Sequence, residues 1–292
     1  MTLEQLRIFV GVAEREHMTR AAEALNVTQS AASAAIAALE ARHGVPLFHR
    51  VGRGIELTEA GAMFLGEARA VLGRAASAEL ALAEYSGLQR GTLSIVASQT
   101  IASYWLPQQL AIFHARYPQI AVELAIDNTE GAAARVLTGA AELGFVEGVI
   151  DEPALAQWVV AKDRMVLVGT EAIDEINDAW LREARWIMRE QGSGTRSSFE
   201  EALRLREIKV TDLTIALTLP SNEAVRTAVE AGAGVAVLSE HVVAPALAAG
   251  TLTELPLTLP ARPFHALRHK ERYRTRAADA LTDLIKEHTD DR

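Results

Sequence analysis

Residues 19–30, Thr19-Arg20-Ala21-Ala22-Glu23-Ala24-Leu25-Asn26-Val27-Thr28-Gln29-Ser30, decide how the first third of the chain folds. Thr19 offers a helix start, and a short helix Arg20–Leu25 follows that Asn26 can close in the left-handed conformation. Val27 fills the turn, and Thr28 caps a further helix, Gln29–Arg42, which Gly44 ends. Two helices joined by Asn26-Val27-Thr28 have the spacing of a helix-turn-helix. Upstream, Thr2 and Gln5 make a capping box, after which Leu6, Phe9, Val10 and Ala13 fall at helical spacing to about Glu16. The start of the third helix carries Thr28, Gln29, Ser30 and Ser33. These are short hydrogen-bonding side chains able to approach base edges and phosphates closely. Gln29 is the best candidate for reading adenine, whose N6/N7 edge suits a side-chain amide.

Further along, Val45-Pro46-Leu47-Phe48 anchors apolar side chains, Arg50-Val51-Gly52-Arg53-Gly54 forms a tight turn, and Ile55-Glu56-Leu57 returns as a strand. The result is a small hairpin with Arg50 and Arg53 at its tip, the form of a wing. An exposed loop with ordinary surface arginines is the plainer alternative. The wing is preferred because the hairpin directly follows the hydroxyl-rich helix. The charge distribution allows only a local contact with a polyanion. The net charge is −9, and the first ninety residues, with nine Arg, no Lys and ten Glu, carry −1 of it. The remaining −8 repels nucleic acid, so attraction must come from a restricted surface in the first third.

The residues Thr19–Ser30, Leu39-Glu40, Gly44-Val45-Pro46-Leu47-Phe48, Arg50 and Leu57-Thr58-Glu59-Ala60-Gly61 resemble the N-terminal domain of LysR-type transcriptional regulators. The resemblance implies an α plus α/β protein: a winged helix-turn-helix spanning roughly Met18–Ala37, a long linker helix, and a two-lobed effector domain like that of periplasmic binding proteins. Expected domain bounds are 1–58 for DNA binding, 59–90 for the linker and hinge, and 91–292 for the effector domain. Within the last, lobe I is expected over 91–161 plus 265–292 and lobe II over 162–264. The sequence departs from the family in one respect. Members often carry a basic residue in mid recognition helix, whereas Ala31-Ala32-Ser33-Ala34-Ala35-Ile36-Ala37-Ala38 offers none. Alanine favours the helix and can meet thymine methyls, but it neutralises no phosphate. DNA contacts are therefore expected to rest on Thr28, Gln29, Ser30, Ser33, helix amides, Arg50 and Arg53, with a modest salt slope per protomer.

From Thr58 to about Ser86 the pattern stays helical, roughly 28 residues or about 42 Å at 1.5 Å each. Phe64, Ala68, Val71, Ala75 and Ala78, with Leu72, Leu80 and Leu82 alongside, make a stripe of apolar and small residues. Packing of this helix on its twin in a homodimer is favoured over folding back on the effector domain. Two wings on a symmetric dimer would then read an inverted repeat. The family resemblance adds a homotetramer built as a dimer of dimers on promoter DNA.

Residues 91–292 alternate between strand and helix patterns. Thr92–Ala97, Ser103–Arg116, Ile120–Ile126, Thr129–Thr138 and Glu142–Val146 give the order βαβαβ, which predicts a parallel sheet. Arg164–Val168, Trp186–Arg189, Thr195–Arg206, Ile215–Leu219, Glu223–Gly232 and Val235–Leu238 form a second series, and Phe264–Arg268 and Thr275–His288 complete the chain. Two short α/β lobes suggest a hinged pair with a ligand between them, beyond strand ends and against helix starts. Three such places stand out: Ser98-Gln99-Thr100, Gln191-Gly192-Ser193-Gly194-Thr195-Arg196, and Pro220-Ser221-Asn222. Ser193 and Thr195 at a helix start make an anion cradle, although a plain N-cap and tight turn account for them equally when taken alone. Ser94–Leu106, Gly144-Phe145-Val146-Glu147-Gly148 and Arg189–Arg196 also resemble a branch of the family linked to sulfur metabolism. That resemblance implies a sulfite- or sulfate-like effector, with a small organic acid as the other candidate. Glu147 stands against a bare anion: it must pair with Arg196 or another base, or the effector must bring its own positive group.

Other classes fit less well. With 49% hydrophobic and 23% charged residues the composition is that of a folded globular chain, and the absence of Cys excludes disulfides and thiolate metal sites. No apolar run reaches the length of a membrane span, and Met1-Thr2-Leu3-Glu4-Gln5 lacks a signal-peptide pattern, so a cytoplasmic protein is expected. A G-x-S-x-G elbow is missing, and Gly192-Ser193-Gly194 lacks its spacing. His265 and His269 share one face of a strand but have no further ligands at metal spacing, and His17, His43, His49, His114, His241 and His288 form no pattern. Neither an enzyme nor a bound metal or cofactor is expected. A two-lobed solute-binding protein without a role in gene control is the alternative to a ligand-controlled transcriptional regulator.

Overall fold

Thr2 and Gln5 form both reciprocal bonds of a capping box and start α1 (Leu3–Arg15). Helix α2 (Met18–Ala24) begins earlier than the sequence suggests. Its cap is His17, whose Nδ1 accepts from the Arg20 amide at 3.4 Å, and Thr19 lies inside the helix. Asn26 takes the left-handed conformation at φ 54°. Thr28 then caps α3 (Gln29–His43) by accepting from the Ala31 amide at 3.1 Å, and Gly44 closes it at φ 66°. Strands β1 (Phe48–Val51) and β2 (Gly54–Leu57) pair antiparallel from Phe48↔Leu57 to Val51↔Gly54. The long helix α4 runs over Glu59–Tyr85.

This computed structural model describes residues 1–51, 54–85, 91–148 and 150–290, and the chain divides into two compact units near residue 87. In the first unit, Phe9 is the centre of the core, its ring 5.4 Å from Phe48 and 4.9 Å from Phe64. Leu6, Val12, Ile36, Leu39 and Ala68 close around it. The Glu40 carboxylate accepts from the amides of Leu47 (2.7 Å) and Phe48 (3.2 Å), which ties the β1–β2 hairpin to the end of α3. Helix α4 does not present one continuous stripe. Phe64, Leu65, Ala68 and Leu72 pack into the unit's own core, while Met63, Val71 and Leu82 are exposed. The side chain of Leu80 lies outside the described residues.

The second unit opens with β3 (Gly91–Ser98), a π-helical turn at Ile101–Trp105, and α5 (Leu106–Arg116). Strand β4 (Ile120–Asp127), α6 (Thr129–Thr138), β5 (Leu143–Glu147) and β6 (Leu155–Asp163) follow. Then come β7 (Met165–Gly169), α7 (Asp178–Glu183), β8 (Arg185–Arg189), α8 (Gly194–Arg204), β9 (Thr214–Leu219) and α9 (Asn222–Glu230). Strand β10 (Ala236–Ser239), α10 (Glu240–Ala249), β11 (Thr253–Leu255), β12 (Arg262–His269) and α11 (Arg276–Asp290) end the chain. Lobe I is a five-stranded sheet ordered β4-β3-β5-β12-β6, with Leu281, Leu284 and Ile285 of α11 in its core. Only β4, β3 and β5 are parallel, as the βαβαβ pattern predicts; β12 runs antiparallel to both β5 and β6. Lobe II joins an antiparallel trio, β10-β7-β11, to the parallel pair β8-β9 through one bridge between Trp186 and Val235.

The lobe boundaries expected at 161/162 and 264/265 both fall inside strands. The chain crosses from lobe I to lobe II at Arg164, the single residue between β6 and β7, and has returned by Arg262 at the start of β12. Strand β6 lies outside the sequence reading because a strand that pairs antiparallel needs no crossover helix to announce it. Among the described residues, no helix is long and apolar enough to cross a membrane.

Candidate functional site

Two constellations carry polar side chains in organised positions, one in each unit. In the first, Gln29, Ser30 and Ser33 stand exposed on α3 beside its cap residue Thr28, and the Thr28 and Ser30 hydroxyls lie 3.0 Å apart in a hydrogen bond. Ala31, Ala34, Ala37 and Ala38 continue the exposed face, while Ala32, Ile36 and Leu39 point into the core. A smooth, small-residue face of this kind admits a close approach of the whole helix to a groove. Arg50 sits in the body of the hairpin, its backbone paired with Ile55 and not at the tip. Its side chain, and Arg53 altogether, lie outside the described residues.

The second constellation lies between the lobes of the effector unit. Arg262, at the head of β12, is buried and reaches four elements at once. Its Nε donates to Asp163 at 2.8 Å, its Nη1 to the Thr195 hydroxyl at 3.2 Å, and its Nη2 to the Thr100 hydroxyl at 3.3 Å. Glu147 stands 3.6 Å from the same Nη2. Asp163 also accepts from the Ser239 hydroxyl at 2.8 Å, so both crossovers between the lobes meet at one buried ion pair. Such a pair adds little net stability compared with an apolar packing, but removing either partner strands a buried charge.

Around this hub the lobes are stitched together. Gln99 of lobe I accepts from the Asn222 amide (2.8 Å) and donates to Glu223 (2.9 Å), while Asn222 Nδ2 donates to the Thr100 hydroxyl at 2.9 Å. Arg189 Nη1 donates to Asn222 Oδ1, and its other nitrogens hold Glu190. Tyr104 donates to Glu223 at 3.1 Å; burial first, and the Glu223 carboxylate second, push the Tyr104 hydroxyl above its ordinary pKa. Helix α8 starts against Glu147. A Cβ on Gly194 would lie 2.6 Å from the Thr129 hydroxyl and 2.8 Å from both Cβ and Oε2 of Glu147, so only glycine lets this helix start come so close.

The structure therefore brings Gln99, Thr100, Glu147, Thr195 and Asn222 into one cluster. Ser193 is buried at the N-cap of α8 and makes no capping bond with its side chain. Ser98 is buried at the end of β3, and its hydroxyl has no partner among the described residues. Arg196 does not serve as the partner of Glu147: it donates to Glu200 at 2.7 Å and to the Arg189 carbonyl at 3.1 Å. The other base the sequence calls for is Arg262. Sequence reasoning missed Arg262, Asp163, Arg189, Thr129 and Ser239. The faint signal was an ionisable residue at each lobe crossover, Asp163 before the Val166–Val168 run and Arg262 before Phe264. Among the described residues, no three His, Asp or Glu side chains are grouped so as to hold a metal ion.

An exposed helix-turn-helix with a hairpin, joined in one chain to a two-lobed α/β unit, defines a DNA-binding regulator that carries a ligand-binding domain. The chain belongs to the LysR family of transcriptional regulators. Residues 3–62 match the bacterial regulatory helix-turn-helix protein of the lysR family, and residues 86–290 match the LysR substrate binding domain. It is 33% identical over 294 residues to the HTH-type transcriptional regulator YeiE of Escherichia coli (strain K12), covering 97% of this chain and 96% of that one. It is 32% identical to a probable RuBisCO transcriptional regulator of Nostoc sp. (strain PCC 7120 / SAG 25.82 / UTEX 2576), covering 97% of this chain and 87% of the other. Its fold is similar to that of CbnR, a LysR family transcriptional regulator, with a TM-score of 0.70 at 22% identity over 99% of both chains. These relatives are regulators and not enzymes, and a solute-binding protein without a role in gene control is set aside by the helix-turn-helix match.

Proposed function

We propose that this regulator holds promoter DNA through α3 and the hairpin, and that a small anion taken up between the lobes switches it. The observation that carries the effector reading is the start of α8. Ser193 and Thr195 are buried there, the first three amides of the helix have no intrahelical acceptor, and the Arg262 guanidinium lies within reach of Thr195. Ser98, Gln99, Thr100 and Asn222 supply further polar groups from the facing strand and helix ends, and Glu147 and Arg196 complete the set of candidate contacts. The candidate ligands are a sulfite- or sulfate-like oxyanion and a small organic acid. The names of the relatives given above carry no sulfur compound, and the sulfur reading rests on residues 94–106, 144–148 and 189–196.

On the DNA side, Thr28, Gln29, Ser30 and Ser33 supply base and phosphate contacts, and Arg50 and Arg53 grip the backbone from the wing. The exposed Met63, Val71 and Leu82 of α4, with Leu82 74% exposed, support a homodimer through this helix. Paired dimers then give a homotetramer, and the work on promoter DNA places it in the cytoplasm. Effector binding alters lobe closure and thereby which half-sites one assembly can hold.

The test is gel retardation of the DNA upstream of the protein's own gene, with the whole chain, in the presence of sulfite, sulfate and a panel of organic acids. Specific retardation that at least one anion shifts is the expected result. Absence of specific retardation overturns the DNA reading, and indifference to every anion overturns the effector reading. Repeating the titration across salt should give a shallow dependence for each protomer, because the middle of α3, Ala31–Ala38, brings no cation to the groove.

A further inference from the structure

The two buried acids that share Arg262 are not served alike. Asp163 has donors on both oxygens, Ser239 at 2.8 Å on one and Arg262 Nε at 2.8 Å on the other. Glu147 is only 2% exposed, yet among the described residues its carboxylate oxygens accept one hydrogen bond, from the Thr129 hydroxyl at 3.3 Å. Arg262 stands 3.6 Å off, beyond good hydrogen-bond length. An ionised carboxylate has roughly four lone-pair sites, and burying it with so few donors is unfavourable unless something else supplies them. Among the described residues, the one guanidinium within reach, Arg262, is already committed to Asp163, and Arg196 and Arg189 are held by Glu200 and Glu190. Beside this donor-poor acid stands the opposite case, the start of α8, whose amides want an acceptor. The missing Cβ at Gly194 places the two side by side, with Glu147 Oε2 2.8 Å from where that carbon would be.

We infer that Glu147 selects, within the effector cleft, an anion that brings its own hydrogen: a protonated oxyanion or an acid bearing an ammonium group, and not a fully deprotonated oxyanion such as sulfate. The inference rests on the reading that the cleft takes a small anion and narrows it to one chemistry. The acid end of the ligand accepts from the α8 amides and the Ser193 and Thr195 hydroxyls, while its hydrogen is donated to Glu147. Sulfate at neutral pH has no hydrogen to give, so it would set lone pairs against lone pairs and add a second unmatched charge beside one arginine. A site built around a hydrogen bond rejects an analogue that cannot make it far more strongly than a merely tight pocket rejects an ill-fitting one.

Isothermal titration of the whole chain with sulfate, inorganic phosphate, sulfite and glycine tests this. Near neutral pH every phosphate carries at least one hydrogen, sulfite carries one on part of its population, glycine carries an ammonium, and sulfate carries neither. In the native protein at least one of the three donors should bind about ten-fold or more tighter than sulfate. Which of them binds separates a protonated oxyanion from an ammonium-bearing acid. The variant Glu147→Gln, whose amide keeps the size and can itself donate, should gain sulfate and bring the ratio to within about three-fold. Sulfate binding to the native protein as tightly as the best donor sinks the inference while the anion reading stands, and this comparison needs no variant to fold. An unchanged ratio in a folded Glu147→Gln protein sinks it equally. If none of the four binds either protein, the inference falls, and the anion reading then stands or falls on the wider panel of organic acids.

Discussion

Two helix starts, α3 at Thr28 and α8 at Ser193, have similar sequences and opposite settings. Each opens with hydroxyl residues and small neighbours. Thr28 makes its capping bond to Ala31 at 3.1 Å and leaves Gln29, Ser30 and Ser33 in the open, while Ser193 is buried and caps nothing. The first start is complete within itself and waits for a partner outside. The second is incomplete within itself: Ser193 supplies no side-chain cap, and Glu147, Thr129 and Arg262 from elsewhere in the chain crowd against it. Short polar side chains at a helix start thus state only that an acceptor or donor is wanted; burial decides whether the chain itself or a ligand answers.

The largest test of that difference is Arg262→Leu. It leaves Asp163 and Glu147 buried without their cation, and breaking a buried pair costs about 3–5 kcal/mol. Urea unfolding followed by tryptophan fluorescence should show a loss of this size. An exposed α3 change such as Ser33→Ala should stay within about 0.5 kcal/mol. A cost below about 1 kcal/mol for Arg262→Leu would mean that the lobes are not held by this hub.

Adding bulk at each start sharpens the contrast. Gly194→Ala puts a carbon 2.6 Å from the Thr129 hydroxyl and 2.8 Å from Glu147, an overpacking that costs about 1–3 kcal/mol. Ala34→Leu enlarges an exposed position on α3. It should leave the unfolding midpoint almost unchanged and abolish specific DNA retardation, since the helix can no longer lie close in the groove. Equal stability losses from the two substitutions would break the distinction between a self-completed and an exposed start.

The two starts also differ in how far the sequence reveals them. The α3 cap, the turn at Asn26 and the hairpin are legible because each rests on residues a few positions apart, and the exposed face follows from helical spacing. The cap of α2 is the local exception: His17 takes the role expected of Thr19, because an imidazole nitrogen accepts from Arg20 as a hydroxyl would. Around α8 the helix start is legible and its surroundings are not. Arg262 reaches Asp163 across 99 residues and Thr195 across 67, and no spacing rule spans such distances. The same limit explains why Arg196, adjacent in sequence to the cradle, looks like the partner of Glu147, while the guanidinium that fills that place comes from the second lobe crossover. For a related reason β6 escaped the reading and β12, read as a strand, gave no sign of its direction: a βαβ pattern reveals parallel strands, while antiparallel pairing needs no crossover helix.

Acidification separates the units by a smaller amount. His265 is buried on β12, and that burial lowers its pKa, opposed only by a hydrogen bond with the Gly148 backbone. The unfolded chain takes up this proton near pH 6.5, the folded chain only at lower pH. Between the two values the unfolded state holds the extra proton, so stability falls as pH drops, by up to about 1.4 kcal/mol per pH unit, and levels off below the folded value. Melting temperatures recorded from pH 7.5 down to 5 should decline from just under 6.5, and His265→Gln should flatten the decline. An unaltered slope in that variant would assign the acid sensitivity to other groups.

The smallest effect is the most direct comparison of the two starts. Thr28→Ala removes a formed cap and should cost about 1 kcal/mol. Ser193→Ala removes a hydroxyl that caps nothing in the protein as it stands, and should cost less than about 0.5 kcal/mol without ligand. The order should reverse in ligand affinity. Ser193→Ala should weaken the tightest-binding anion by about ten-fold, the loss of one hydrogen bond to a charged group, while Thr28→Ala leaves it unchanged. A Ser193 hydroxyl that matters as much to bare stability as Thr28 would show the α8 start to be an ordinary cap, closed by its own side chain, and would leave the cleft without its best donor.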